Sequence, residues 1–438
     1  MTAEIAILNR SGVALASDSA VTIDTPTGPK IYETANKVFA LIKGQPVGIM
    51  IYDSADHLGV PLETIIKAYR MSRRTTSFPT LEEYGNDFLE FVNSSPDLIP
   101  VDLHSNYLSE VVARRTRSVV DLVNEKAMEF LATGRKLGPR RLRSFISESI
   151  VDARTAWDNR QDGPWATQLS IPGFAKSHRA EIDTQIARVL QLLPATIAHR
   201  GAIRTLIVES LKKLPITGEH TPIDPRSGIV IAGFGEREFF PRLISYDLFG
   251  TVDGVLRASP NPKVEISVHN PAVIAPFAQR EMVDGFMTGI NPQVRAALMG
   301  YMNGVANNYP QATLELLQRQ IPGLDPALAA SLTGPLSSLI SIMVRELEQH
   351  LDQSLETQVQ PVLDSVDFLP KDELAAMAES LVNLTSLKRR VSIDDPQTVG
   401  GPVDVAVISR GDGFVWIKRK HYFSQDLNPA WVSTHTEY

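Results

Sequence analysis

Apolar and polar positions alternate with a period of two in EIAILNR and VALAS, the spacing of strands with one face toward a core. The two runs predict a hairpin from Ala3 to Ser17, joined through Ser11 and Gly12, with the glycine supplying the positive φ of a tight turn. A polar stretch with Pro26, Gly28 and Pro29 follows. Lys37 then opens the apolar run VFALI, and Val47 to Tyr52 is a further strand candidate.

From about His57 the period becomes helical, with Leu58, Val60, Leu62, Ile65, Ile66 and Tyr69 on one face that reads as core. The helical pattern persists from about residue 75 to 225, broken by Pro79, Pro96, Pro100, Gly134, Gly138, Pro139 and the loop at Gly163 and Pro164. Strands return in GIVIAGF, residues 228 to 234, and in RLISYDLFGTVDGVLR, where Asp253 and Gly254 mark a turn. Helices dominate again from about 279 to 390. They include an amphipathic stretch from Leu336 to about Val359 with Leu339, Ile340, Met343, Leu347 and Leu351 on one face. VDVAVISRGDGFVWIKRK reads as a last hairpin turning at Asp412 and Gly413. The segment after Tyr422, with Pro429 and Trp431, reads as an irregular tail anchored by its tryptophan. Strands and helices in separate blocks predict α+β layers and not a repeating βαβ array.

Composition narrows the chemistry. At 438 residues the chain can bury at least one large core, and 43% hydrophobic with 21% charged residues is the balance of a globular protein. The formal charge of -7 gives no global reason to expect nucleic acid or an anionic membrane as a partner. With no cysteine, thiolate nucleophiles, disulfides and thiolate metal sites are excluded. The nine histidines show no paired metal spacing, so no metal or cofactor is expected. No run reaches the ~18 apolar residues of a membrane span, and MTAEIAILNRSG is not patterned as a signal peptide, which predicts a cytoplasmic protein.

The basic positions Arg114, Arg115, Arg117, Arg135, Lys136, Arg140, Arg141 and Arg143 are interleaved with Asp121, Glu125 and Glu129. They read as a solvated helical face before they read as a nucleic-acid site. Gly233 and Gly235 in AGFGE lack the third glycine and following helix of a nucleotide fingerprint, and read as a strand bend.

The start of the chain carries a specific chemistry. Initiator methionine is generally removed before a residue as small as Thr2, leaving a threonine with a free α-amine. A threonine hydroxyl needs a base, and that amine, with a reference pKa of about 7.7 to 8.0, is a base attached to the nucleophile itself. Asp18 and Lys37 are the charged residues placed to complete such a site.

TAEIAILNRSGVALASDSAVT resembles, without a gap from Thr2 to Asp18, the start of proteasome β subunits and of their bacterial relatives HslV and Anbu. ANKVFAL resembles the family's lysine strand, with Lys37 on its lysine. VGIMIYDSAD, GIVIAGFGEREFFPRLISYDLFGTV and TVGGPVDVAVISRGDGFVWIK resemble, in order, its apolar strand, central hairpin and final hairpin. The resemblance implies a four-layer αββα sandwich of the N-terminal-nucleophile (Ntn) hydrolases. It makes Thr2 the nucleophile, Lys37 the residue that lowers the hydroxyl pKa, and Asp18 the residue that orients Lys37. It assigns the oxyanion to a backbone N–H within Tyr52, Asp53 and Ser54. Val21, Ala35, Phe39, Met50 and Ser54 fall where the family lines its first specificity pocket, which implies a preference for apolar residues.

Two positions depart from the family's pattern. Tyr52 stands where glycine is usual, and Val399 where a serine precedes the Gly400–Gly401 pair, leaving Asp395 and Thr398 as candidate supports. The implied division is 1–74 for the first part of the Ntn core, 75–225 a helical insertion, 226–300 the central hairpin and following helix, 301–369 a helical extension, and 370–438 the last helix, final hairpin and tail. The implied substrate is a peptide or unfolded protein, handled by a homo-oligomer with a separate ATPase unfoldase. An inactive structural relative and a small-molecule Ntn amidase are the alternatives.

Overall fold

The computed structural model describes residues 3–25, 28–95, 98–215, 226–321, 326–392, 399–421 and 423–430, with the backbone alone described at 22–25, 28–29, 101 and 326–330. In chain order the elements are β1 (Ala3–Asn9), β2 (Gly12–Ser17), β3 (Val21–Thr25), β4 (Gly28–Tyr32), β5 (Val38–Ala40), β6 (Val47–Asp53), β7 (Asp56–His57), β8 (Val60–Pro61), α1 (Leu62–Arg73) and α2 (Leu81–Ser94). Five helices follow: α3 (Val101–Ala132), α4 (Pro139–Asp158), α5 (Ile171–Ser177), α6 (Arg179–Val189) and α7 (Ile197–Ser210). Then come β9 (Ser227–Gly233), β10 (Arg242–Val252), β11 (Val255–Pro260), β12 (Val264–Glu265) and β13 (Ala272–Ala278). The last elements are α8 (Glu281–Thr288), α9 (Pro292–Gln320), α10 (Pro326–Asp367), α11 (Lys371–Val391), β14 (Asp404–Ser409) and β15 (Gly413–Lys418). The chain is therefore α+β with antiparallel sheets and many helices. It forms two compact units, one of Met1–Ala35, Ile266–Val407 and Trp416–Phe423, the other of the remainder.

In the first unit a five-stranded sheet has the order β13-β1-β2-β14-β15. Ala3, Ile5 and Ile7 of β1, with Ala14 and Ala16 of β2 and Val405 and Val407 of β14, share one buried cluster with Leu374, Ala378, Leu381 and Val382 of α11. That helix carries Asp372 and Glu373 in its first turn and Lys388, Arg389 and Arg390 in its last, the arrangement that its macrodipole favours. The β1–β2 turn differs from expectation. Arg10 and Ser11 make it, because Asn9 Oδ1 accepts from Ser11 N at 2.8 Å and Gly12 N at 3.3 Å. Gly12 pairs with Asn9 as the first residue of β2 and has no positive φ.

Helices α9 and α10 pack on each other in this unit, and the buried stripe of α10 is not quite the one its sequence suggests. Val344 is buried and Ile340, Leu347 and Leu351 are half-buried, whereas Leu339 and Met343 are more than half exposed. A long apolar helix offers two overlapping stripes, and only contact with its neighbour selects one.

In the second unit a six-stranded sheet has the main order β11-β10-β9-β6-β5, with β12 beside β10. Alternation sends Ile49 and Ile51, Ile229 and Ile231, and Ile244 and Leu248 to one face. There they meet Leu62, Ile65, Ile66 and Tyr69 of α1 and Tyr84 and Phe88 of α2. The helix expected from His57 begins only at Leu62. Leu58 and Gly59, at φ 55 and 82, turn the small β7–β8 hairpin, and Pro61 stands at the N-cap of α1.

Helices α3 to α7 close on a second core in the same unit. Val111, Val119, Phe145, Ile186 and Ile207 pack there with Trp165 and with Phe249 of β10. Arg115 belongs to this core and not to a solvated face. Its Nη1 donates to the Ile207 carbonyl at 3.2 Å, and its guanidinium lies 4.7 Å from the Trp157 ring centre. Arg114 pairs with Glu110 and Arg141 lies over Phe145, so the basic run is divided among different partners.

Gly233 ends β9 at φ 141, where a Cβ would collide with the Pro46 carbonyl, and the chain bends into β10 without a helix. AGFGE is a strand bend.

Candidate active site

Thr2, the proposed nucleophile, lies outside the described residues, as do Asp395 and Thr398 and the tail's Trp431. The residue next to Thr2 is held closely. Asp18 N donates to the Ala3 carbonyl at 3.1 Å, and Ala3 N donates back to Asp18 Oδ1 at 3.1 Å. Asp18 Oδ2 accepts from Gly400 N at 2.9 Å and from Ala20 N at 3.3 Å. The side chain is fully buried. A buried carboxylate is tolerable only with such donors, and three backbone N–H groups use its acceptor-only chemistry.

Ser19 extends the clamp, its N–H donating to the Gly400 carbonyl at 3.1 Å and its hydroxyl to the Pro402 carbonyl. Gly401 has φ 78, and a Cβ there would come within 2.7 Å of Glu33 Cβ. Glycine is needed at that turn. Val399 is buried in the apolar cluster beneath α11, where it is a packing residue. Ala35 is half-buried and its N–H donates to the Ser19 carbonyl at 3.1 Å; Val21 is half-buried at the start of β3.

In the second unit, Lys37 is buried just before β5, and its carbonyl accepts from Ile51 N at 2.8 Å. Val38 pairs with Met50 and Phe39 with Ile49. Phe39 thus points into the core shared with α1 and α2, and Met50 stands on the opposite face of the sheet. The two cannot line one pocket. Ser54 N donates to the Arg226 carbonyl at 3.3 Å, which engages one of the three N–H groups assigned to the oxyanion.

Tyr52 is accommodated by its neighbours. Tyr52, Gly228 and Asp247 stand in cross-strand register on β6, β9 and β10. The tyrosine ring lies across Gly228, filling the space a Cβ would need, and its hydroxyl donates to Asp247 Oδ1 at 2.7 Å. Asn261 Nδ2 donates to the same hydroxyl at 3.2 Å. Arg226 pairs with Asp53 and lies 3.7 Å from Asp247. Burial, with Asp247 beside it, pushes the Tyr52 phenol far above its ordinary range, so it acts as a hydrogen-bond donor. Burial also raises the Asp53 carboxyl, against the pull of Arg226. Asp53 is left-handed at φ 61, an uncommon conformation for a residue with a side chain.

Arg226, Asp247 and Asn261 were not singled out in the sequence. Strand alternation places Asp247 opposite the helix-facing Tyr246 and Leu248, and that was the one available signal. Nothing local marks Arg226.

His57 was also missed. It is 1% exposed, its Nε2 lies 3.4 Å from Thr251 Oγ1, and burial, with His104 nearby, pulls its pKa down to about 4. The unfolded histidine, near 6.5, binds a proton that the folded one refuses, so stability rises with pH between about 4 and 6.5 and is lost as pH falls through that window. Lowering the pH from 7 to 4 is expected to remove on the order of 3 kcal/mol through this group. Urea titrations across that range, comparing the chain with His57→Gln, check it: the variant should have the shallower pH dependence, and equal slopes would refute the assignment.

Among the described residues no group of three or more His, Cys, Asp or Glu is arranged to hold a metal ion, and no helix is long and apolar enough to cross a membrane. No protein-family profile and no curated protein matches the chain. A solved structure of the Gly-1 mutant of Anbu from Hyphomicrobium sp. strain MC1 is similar to it at 8% identity, over 99% of this chain and 95% of that one, with a TM-score of 0.26. So low a score carries no argument for fold or chemistry.

Proposed function

We propose that the chain is a threonine-type Ntn hydrolase that cleaves peptide bonds through an acyl-enzyme on Thr2. The observation that carries this reading is the clamp of Asp18 on Ala3 and Gly400. A nucleophile on the first residue of a chain is positioned by the backbone that follows it, and a buried carboxylate spent on that backbone is an uncommon investment for an inert strand start.

In the proposed reaction the Thr2 hydroxyl oxygen attacks the peptide carbonyl while its proton passes to the Thr2 α-amine, directly or through a water. The C–N bond breaks, the leaving amine takes that proton, and water then hydrolyses the ester and restores the threonine. Lys37 is the cation that favours the alkoxide. With the Ser54 N–H engaged, the Asp53 N–H is the preferred oxyanion donor. Met50, Val21, Ala35 and Ser54 remain in the proposed substrate wall, and Phe39 leaves it. The four-layer αββα sandwich, the homo-oligomer, the cytoplasmic setting and a separate ATPase unfoldase belong to the same proposal.

The purified chain, with loss of Met1 verified, is expected to hydrolyse a fluorogenic peptide bearing an apolar residue before the reporter at a rate at least about a hundredfold above buffer, a modest share of what enzymes achieve. Absence of turnover across apolar, basic and acidic peptides would favour the structural alternative.

A further inference from the structure

Two cavities adjoin along α3 within the second unit. The first, about 260 Å³, is lined by Asp56, His57, Ser227 and the apolar Leu103 and Leu248, with Asn106, Glu110 and Arg226, the arginine being turned to Asp53 and Asp247. The second, about 630 Å³, is lined by Arg117, Arg188, Gln185 and Gln191, again with Asn106 and Glu110. The shared residues make one groove with opposite ends. At one end Asp56 accepts from the Ser54 hydroxyl at 3.3 Å but has no cationic partner among the described residues. At the other end neither Arg117 nor Arg188 has an acidic partner among the described residues.

His57 forms the inner wall of the acidic end. It is buried, and its single hydrogen-bond neighbour among the described residues is the Thr251 hydroxyl at 3.4 Å. Held uncharged by burial, the imidazole does not repel a cation beside it. Asn106, common to both cavities, and Gln185 and Gln191 of the second each offer a side-chain donor and acceptor, the pairing a peptide unit presents. From Asn106 to Arg117 the helix advances about 16 Å at 1.5 Å per residue. An extended peptide covers that distance in about five residues.

We infer that this groove binds a short peptide with free ends, its ammonium group at Asp56, whose carboxylate has no cationic partner among the described residues, and its carboxylate at Arg117 and Arg188. The first cavity borders Ser54 and Arg226 of the candidate site, but binding there needs no Thr2 chemistry and does not rest on that reading.

Calorimetry with pentaalanine, N-acetyl-pentaalanine and pentaalanine amide on the full chain tests this, with the recovered peptide checked intact by mass spectrometry. Blocking either end is expected to weaken binding about tenfold, the scale of one charge-assisted contact. Asp56→Asn should weaken the free peptide by a similar factor and abolish the discrimination against the acetylated one. Arg117→Gln with Arg188→Gln should do the same for the amidated one. Equal binding of free and blocked peptides to the unaltered chain, or no binding at millimolar concentration, overturns the proposal whatever the variants do.

Discussion

Thr2→Ala is expected to abolish peptide turnover, a loss of about a thousandfold or more, while leaving the unfolding free energy within about 0.5 kcal/mol of the unaltered chain. Alanine keeps the α-amine and removes the attacking oxygen with one methyl group, so activity should be lost while stability changes little. Thr2→Ser keeps a hydroxyl and should retain measurable turnover. Equal activity in the alanine variant would remove Thr2 from the chemistry, and a chain that retains Met1 would have no free threonine amine to act as base.

Asp18→Ala is expected to lower the unfolding free energy by about 3 kcal/mol or more, because three buried backbone N–H groups lose their acceptor together at roughly 1 kcal/mol or more each. Asp18→Asn should be less damaging, since the amide oxygen can still accept from one side while its NH2 faces a donor on the other. Turnover should fall in both variants even under conditions where each is fully folded, because Ala3 is the covalent neighbour of Thr2 and the clamp on Ala3 N–H is what the substitution loosens. Urea unfolding and turnover, measured on the same preparations, separate the two effects. An alanine variant as stable as the parent would mean that water replaces the carboxylate and that the clamp is not structural.

How far the molecule was legible from its residues depended on whether neighbours in sequence were also neighbours in space. Strand alternation located β1, β2, β9, β10 and β14, and Asp253 with Gly254 located a turn, because period and turn chemistry are local. Where two local signals competed, a third element decided. Leu58 and Val60 fit the helical period of α1, but the positive φ at Leu58 and Gly59 and the proline at 61 turned that segment into β7–β8. Gly12 read as the turn glycine until the Asn9 side chain took over the turn.

The candidate site was legible where a motif is contiguous and illegible where it is assembled across strands. Ser17, Asp18 and Ser19 could be picked out as a run, but the backbone groups at Gly400 that Asp18 binds are hundreds of residues away. In sequence, Tyr52 is only a departure from the glycine that the resemblance leads one to expect. Its ring is carried over Gly228 to Asp247, a compensation visible only once the registers of β6, β9 and β10 are known. Phe39 and Met50 look alike as apolar strand residues, and a one-residue difference in register sends them to opposite faces.

The central claim is that Thr2 carries the reaction. Intact mass followed by labelling with a threonine-directed epoxyketone tests it most directly. The expected result is a chain lighter by one methionine that gains one probe, mapped by peptide sequencing to Thr2 and absent in Thr2→Ala. Retention of Met1, or a processed chain that the probe leaves unmodified, would contradict it.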